Sequence, residues 1–422
     1  MPDLRTVHVP ALCLLLAAPA IGQTTTRDSL SSAGVQDPNW GSFTPVLSQD
    51  GRYLAFSSGS PNLVPGDTNN MSDIFCRDRV TGQTTRVSVS SAGAQGNGNS
   101  LDPDISADGR FVVFRSAASN LVPGDTNNAP DIFCHDRLTG TTTRVSVGTG
   151  GQQITLHSDG GAISGDGRYV VFESADNQIT TGDWCLNTDV FCHDRQTGVT
   201  TLISASLIAF QQFNARLRPN ISFDGSVISF DSAGDDLTLN DTNGWSDVFV
   251  WSRLTNSISR VSIASSGAEG NERSEDAVVS ANGRFVAFTS FVFNFVPGDN
   301  NSPDVFVRDL QTGQLTWCSS GLAGAFANQA CYVSSISGDG RFVTFWSGAT
   351  NLVSGDTNGV WDVFVFDQAL GTTTRVSVGT TGTQGNGQSN GGRISPDGRC
   401  IAFQSAATNL VVPDANLAAQ DV

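Results

Sequence analysis

One unit is written seven times along this chain at an almost constant period. Each copy holds an Asp-Gly turn (once Asn-Gly), with glycines at Gly51, Gly109, Gly167, Gly225, Gly283, Gly340 and Gly398, spaced 58, 58, 58, 58, 57 and 58 residues apart. A period this strict over most of a sequence restricts the fold to a repeat architecture, because each unit must bury its apolar faces against its neighbours. The text around the turn recurs with it. A Ser stands three residues before every glycine (Ser48, Ser106, Ser164, Ser222, Ser280, Ser337, Ser395), and a Phe stands five after it (Phe56, Phe114, Phe172, Phe230, Phe288, Phe345, Phe403).

One unit reads as four strands. In the second copy Asp104-Ile105-Ser106 ends strand A, Asp108-Gly109 turns, and Arg110-Phe111-Val112-Val113-Phe114 forms strand B. A long loop through Pro123-Gly124-Asp125 leads to strand C, Asp131-Ile132-Phe133-Cys134-His135-Asp136. A second tight turn, ending at Gly140, leads to strand D, Thr142 to Val147. Val, Ile, Phe and Thr fill the strands and Gly, Asn, Asp and Pro the loops. No segment carries helical periodicity. Four-stranded units in seven copies predict an all-β, seven-bladed β-propeller of four-stranded blades. The invariant Phe of strand B, with the apolar residue four before each turn glycine, should fill the space between blades.

The pattern S-x-D-G-R-[FY]-x-x-F-x-S followed by D-[IV]-F-x-x-D resembles the repeat of TolB-type propellers, also met in prolyl-oligopeptidase propellers. The resemblance covers nearly all of residues 23–422. It implies the fold and leaves activity open, since function sits in sites grafted on folds. The long B–C loop departs from that family and makes these blades larger.

The ends of the repeat array do not match. Thr24-Thr25-Thr26-Arg27-Asp28-Ser29 repeats the strand D text Thr372-Thr373-Thr374-Arg375-Val376-Ser377, yet no A, B or C strand precedes it. The last copy runs only to Asp421-Val422, where its strand C begins. An N-terminal strand is therefore expected to close the ring, with the last blade incomplete. Before it, Ala11–Ala20 is an apolar run too short to span a bilayer, and Ala20-Ile21-Gly22 offers a small-residue cleavage site. Residues 1–22 read as a signal peptide and 23–422 as the propeller, secreted or periplasmic.

The net charge is −17, and all 23 basic residues are Arg. This excludes nucleic acid as a partner on electrostatic grounds and disfavours an anionic membrane. No later stretch reads as a membrane insertion. Of the eight cysteines, Cys13 falls in the leader, which leaves an odd number. Cys76, Cys134 and Cys192 share one position in successive copies, too far apart for disulfides, and read as small buried side chains. Cys185 with Cys192, and Cys318 with Cys331, are the candidate disulfides.

Two constellations could carry function. The B–C loops contain D-x-N-x-x-x-D: Asp67, Asn69, Asp73; Asp125, Asn127, Asp131; Asp241, Asn243, Asp247; Asp356, Asn358, Asp362. Copy five is shorter (Asp299, Asn301, Asp304), and copy three lacks the Asn. Oxygens at this spacing could bind Ca²⁺; the same residues also make turns to their own backbone. His135 and His193 occupy a strand C position that holds Arg77 and Arg308 elsewhere, so they read as members of an exposed polar slot rather than metal ligands. The second constellation lies where the repeat text breaks, in copies three and four. There His157, Trp184, Phe213, Arg216 and Arg218 could share a ligand-binding patch on the face that carries the B–C and D–A loops.

No further domain remains to house a hydrolase. A residue present in every blade builds the blade, whereas an active site needs a unique cluster. The expectation is a non-enzymatic scaffold that binds a protein or glycan through its long-loop face. The alternative is a glycan lyase or hydrolase at the channel mouth, which would need carboxylates or His gathered there from unlike copies.

Overall fold

Each of the first six repeats folds into an antiparallel meander in the order A-B-C-D. The computed structural model describes residues 23–180, 183, 187–205, 217–416 and 419–422. Blade two is typical: Ser100–Ile105, Phe111–Ser116, Asp131–Asp136 and Thr141–Arg144. Strands B and C pair in full register, with Phe114 opposite Phe133. The equivalent Phe pairs lie 5.6–6.1 Å apart in all six blades. Both rings are fully buried each time, and burial of one such side chain contributes about 1.5–3 kcal/mol. The apolar residues before the turns, Leu47, Ile105, Ile163, Ile221, Val279, Ile336 and Ile394, are buried as the repeat predicts. Among the described residues the only helical element is a short 3₁₀ turn, Leu322–Gly324.

The expectation of seven four-stranded blades is corrected. Six four-stranded blades form, and the last repeat gives only a two-stranded sheet, Ser389–Ile394 with Ile401–Ser405. After strand B the last repeat adds no third strand among the described residues, only a bridge from Asp421 to Ser405. The two-stranded sheet nevertheless sits in the ring. A closed circle of backbone hydrogen bonds, 2.8–3.3 Å long, links the A–B turns: Gln49 to Ala107, Ala107 to Gly165, Asp166 to Phe223, Phe223 to Ala281, Asn282 to Gly338, Gly338 to Pro396, and Asp397 to Gln49.

The N-terminal segment completes this sheet from outside. Asp28 and Ser29 donate their N–H groups to the Val422 carbonyl at 2.7 and 3.0 Å, as Val145 and Ser146 do to Ile132 in blade two. Ser29 Oγ donates to Asp421 at 3.0 Å, matching Ser146 to Asp131 at 2.7 Å. Thr25 Oγ1 donates to the Val378 carbonyl of blade six, as Thr142 does to Val89. The segment thus occupies the strand D place.

The invariant Ser stitches its turn. Ser106 Oγ donates to Asp108 at 2.6 Å and accepts from the Phe111 N–H at 2.9 Å. The polar slot on strand C is buried rather than exposed: His135 and His193 each hydrogen-bond a strand D threonine at 2.9 Å. They reach across to the neighbouring strand instead of outward. Cys76, Cys134 and Cys192 are buried free thiols, as read. Cys318 and Cys331 are also free, which corrects that disulfide; the Cys331 thiol is turned to Ser347 Oγ at 3.3 Å. Cys192 is likewise free, and Cys185 lies outside the described residues. Residues 1–22, read as a signal peptide, also lie outside them. Among the described residues no helix is long and apolar enough to cross a membrane.

Candidate binding site at the channel mouth

Strand A lines the central channel, and its pairing with strand B is interrupted by a bulge near the long-loop end. A bulge re-aims the side chains beside it. Its third residue has left-handed backbone in four blades without being glycine: Thr44 at φ 49°, Asp102 at 52°, Arg218 at 43° and Asp276 at 63°. That conformation costs about 1–2 kcal/mol per residue, so something must hold it.

In three blades the holding group is the residue just before the last of the preceding strand B. Glu173 accepts the Leu217 and Arg218 N–H groups at 2.6 and 3.3 Å. Asp231 accepts those of Asp276 and Ala277 at 2.7 and 3.2 Å. Gln404 accepts from the Thr44 N–H at 3.2 Å. Thr289 makes the equivalent link to the Val333 N–H in blade six. Side chains of four different types do one job, so the variation here follows blade-to-blade clamping. Burial, with the Asp276 carboxylate nearby, pushes the Asp231 carboxyl well above the usual range. Asp104, facing the channel lumen deep in the ring, is pushed up to about 6 by burial. It shares a cavity of about 130 Å³ with Asn220, Ser335 and Arg393.

Of the patch read from the broken repeats, two members are described. His157 is exposed, with Nε2 3.9 Å from Asp159. Asp159 is itself paired with Arg115. Arg218, one blade on, is paired with Asp276. Trp184, Phe213 and Arg216 lie outside the described residues. His157 and Arg218 therefore share a face, each with its own acidic partner.

An aromatic shelf at the same end of blades five and six was not read from the sequence. Tyr332 on strand A pairs directly with Trp346 on strand B, and their rings lie 5.0 Å apart. Trp361, just before strand C, lies 4.7 Å from Trp346 and 5.9 Å from Tyr332. Phe291 extends the row 6.5 Å from Tyr332, with the Arg273 guanidinium 3.8 Å above its ring. All four rings are partly exposed. The available signal was that copy six carries Tyr332 where the others carry Phe, Leu, Asp, Glu or Asn, and Trp346 where they carry Ser, Arg, Glu, Asp, Thr or Gln; the convergence appears only once the A–B register is known.

The loop carboxylates read as calcium ligands do come together, with an arginine among them. Asp241, Asp247 and Glu269 place oxygens within 4.8 Å of one another. Arg260 Nη1 lies 2.9, 3.1 and 2.5 Å from them. Arg86 stands between Asp67 and Asp73, Arg144 between Asp125 and Asp131, and Arg375 between Asp356 and Asp362. Asn69, Asn127, Asn243 and Asn358 turn Oδ1 to a backbone N–H two residues on and Nδ2 to the following Asp. Blade five differs: Trp317 takes the arginine position, and one shielded oxygen on each of Asp299 and Asp304 has no partner. Burial pushes Asp304 up to about 6.

No family model matches the chain, and no curated protein matches it. Solved structures do. An oligogalacturonate lyase in complex with manganese matches with a TM-score of 0.53 and 14% identity, over 92% of this chain and 90% of that one. The β-propeller domain of the Trilobed protease from Pyrococcus furiosus, described as having an open velcro topology, matches with a TM-score of 0.52 and 9% identity, over 87% and 91%. TolB from Acinetobacter baumannii matches with a TM-score of 0.43 and 14% identity, over 79% of this chain and 63% of that one. The chain has a β-propeller fold. At such identities the likeness is one of fold alone.

Proposed function

We propose that this chain is an exported, non-enzymatic β-propeller that binds a neutral glycan on its long-loop face. The observation that carries this reading is the row Tyr332–Trp346–Trp361, with centroids 4.7–5.9 Å apart and faces partly open. The C–H face of a pyranose ring packs on such aromatic faces, and Tyr and Trp supply large rigid contact area with a polar edge. Arg273 and Glu275 border the row with hydrogen-bonding groups that can meet sugar hydroxyls. The net charge of −17 favours an uncharged polymer over an anionic one. The apolar run at Ala11–Ala20 supports export. Against the lyase or hydrolase reading, the buried carboxylates Glu173 and Asp231 are engaged by backbone N–H groups of the next blade.

Affinity electrophoresis in gels containing soluble β-glucan, galactomannan or polygalacturonate tests the reading. Retardation is expected in a neutral polymer and should be lost in Trp346→Ala and Trp361→Ala. Equal migration of wild type and variants in every gel overturns it. Release of unsaturated products from polygalacturonate would instead establish the lyase.

A further inference from the structure

One position of strand A breaks the symmetry of the ring at its tight-turn end. Five residues before each turn glycine, the copies carry Val46, Asp104, Ala162, Asn220, Val278, Ser335 and Arg393. A side chain that builds the blade recurs from copy to copy, as the invariant Ser and Phe do, and this one does not. All but Ala162 line the channel cavity of about 130 Å³, which is floored by hydrogen-bonded turns at Ala107, Phe223 and Pro396. Four polar groups from unlike copies therefore meet in one lumen.

The uncommitted groups among them are donors. Arg393 is exposed to the lumen and, alone of the arginines among the described residues, makes no hydrogen bond and no ion pair. Its charge reaches Asp104 and Asp276 only through space. Ser335 is 7% exposed, and its hydroxyl has no partner among the described residues. Asn220 Oδ1 accepts the Val279 N–H at 3.1 Å, which leaves its NH₂ unbound. Asp104 does the same work in blade two, where its Oδ2 accepts the Ile163 N–H at 2.8 Å. An unpaired guanidinium beside neutral donors suits an oxyanion, and its planar fork matches a carboxylate. Around the ring, Val278 stands beside Ser335 and Val46 beside Arg393, so apolar surface flanks the two donors. The volume is that of roughly four waters, which limits the ligand to a few heavy atoms.

We propose that this end of the channel is a binding site for a small aliphatic monocarboxylate. Its carboxylate is held by Arg393 and Ser335, with Asn220 as a further donor, and its short tail lies against Val46 and Val278. A phosphate-like ion would make no use of that apolar surface. The site is separate from the aromatic row, which lies at the opposite end of strand A.

Isothermal titration calorimetry of the whole protein with propionate at pH 7, and with phosphate in parallel, tests the site. Saturable binding of propionate is expected, and much weaker binding of phosphate. Arg393→Gln should weaken propionate at least about tenfold, because a charge-assisted contact is lost; the arginine has no partner to lose, so the variant should fold. Ser335→Ala should weaken it by a smaller factor. Asp104→Asn keeps an acceptor for the Ile163 N–H, as Asn220 does for Val279, and removes the negative charge facing the ligand. It should tighten binding several-fold, a gain that a purely structural role for these residues would not produce. Absence of saturable heat at tens of millimolar propionate overturns the proposal. So does unchanged affinity in Arg393→Gln, or phosphate binding as tightly as propionate.

Discussion

Arg110 and Asp136 meet through two parallel hydrogen bonds, Nε to Oδ1 at 2.9 Å and Nη2 to Oδ2 at 2.6 Å. The same fork joins Arg52 to Asp78, Arg168 to Asp194, Arg284 to Asp309 and Arg341 to Asp367. Each pair fixes the register of strands B and C at the tight-turn face. Asp136 also accepts the Leu138 N–H at 2.9 Å, so it ties the next turn as well. A double-mutant cycle on Arg110→Ala and Asp136→Ala should therefore show coupling, with the Asp136 variant the less stable single mutant. Urea midpoints measure both; a cycle with no coupling at pH 7 removes the pair's role in register.

Stability should pass through a maximum in mildly acidic solution. The forked arginines hold the Asp78, Asp136, Asp194 and Asp309 carboxyls well below their usual range. Their contribution is complete above the unfolded value of about 3.9 and is lost as pH falls further. Burial acts with the opposite sign on Asp104 and Asp304, both pushed up to about 6, and on Asp189, pushed up to about 7. There the folded protein holds protons the unfolded chain has released, so stability declines as pH rises from about 4 to 7. Scanning calorimetry from pH 3 to 8 should find the highest Tm between these limits. A Tm that climbs steadily from pH 4 to 8 contradicts it.

Two turn glycines should respond differently to alanine. Gly109 and Gly140 share a left-handed φ of 71° and 72°. A Cβ on Gly109 would collide with the Tyr53 ring of the neighbouring blade, whereas one on Gly140 meets nothing within 4 Å. Gly140→Ala should cost the backbone term alone, about 1–2 kcal/mol. Gly109→Ala should cost a further 1–3 kcal/mol or so from forced repacking. Equal losses in urea unfolding would mean that the blade contact yields freely.

Calcium is expected at the loop of blade five and not at the arginine-filled loops. Trp317 leaves the shielded Asp299 and Asp304 oxygens without a cation. Millimolar Ca²⁺ should raise Tm relative to chelator, since a ligand of the native state stabilises it. Asp299→Asn should remove the shift and Arg86→Ala should not. An unchanged Tm in the wild type discards the calcium reading.

The strands and turns were legible because each rests on local chemistry repeated at a fixed period. Ser106 beside its Asp-Gly turn and Phe114 in strand B gain their meaning from neighbours in the same unit. The aromatic shelf was not legible, because Phe291, Tyr332, Trp346 and Trp361 come from unlike repeat positions and meet only through register. The clamps by Glu173 and Asp231 were missed for a related reason: each reaches a backbone group in the next blade, which no side-chain pattern announces. The blade count was overdrawn because a period counts turns, whereas a blade needs all of its strands.

Closure by Thr24–Ser29 gives this ring a clasp whose two sides lie far apart along the chain. Thr25 waits for Val378, 353 positions later, and Ser29 for Val422, 393 later. Until then the first folded blade presents an uncovered flank, the kind of edge that recruits stray strands. Contacts this distant in sequence also slow the final step of folding. Once shut, the clasp ties the first and last repeats together, so its release would open the ring without unfolding any complete blade.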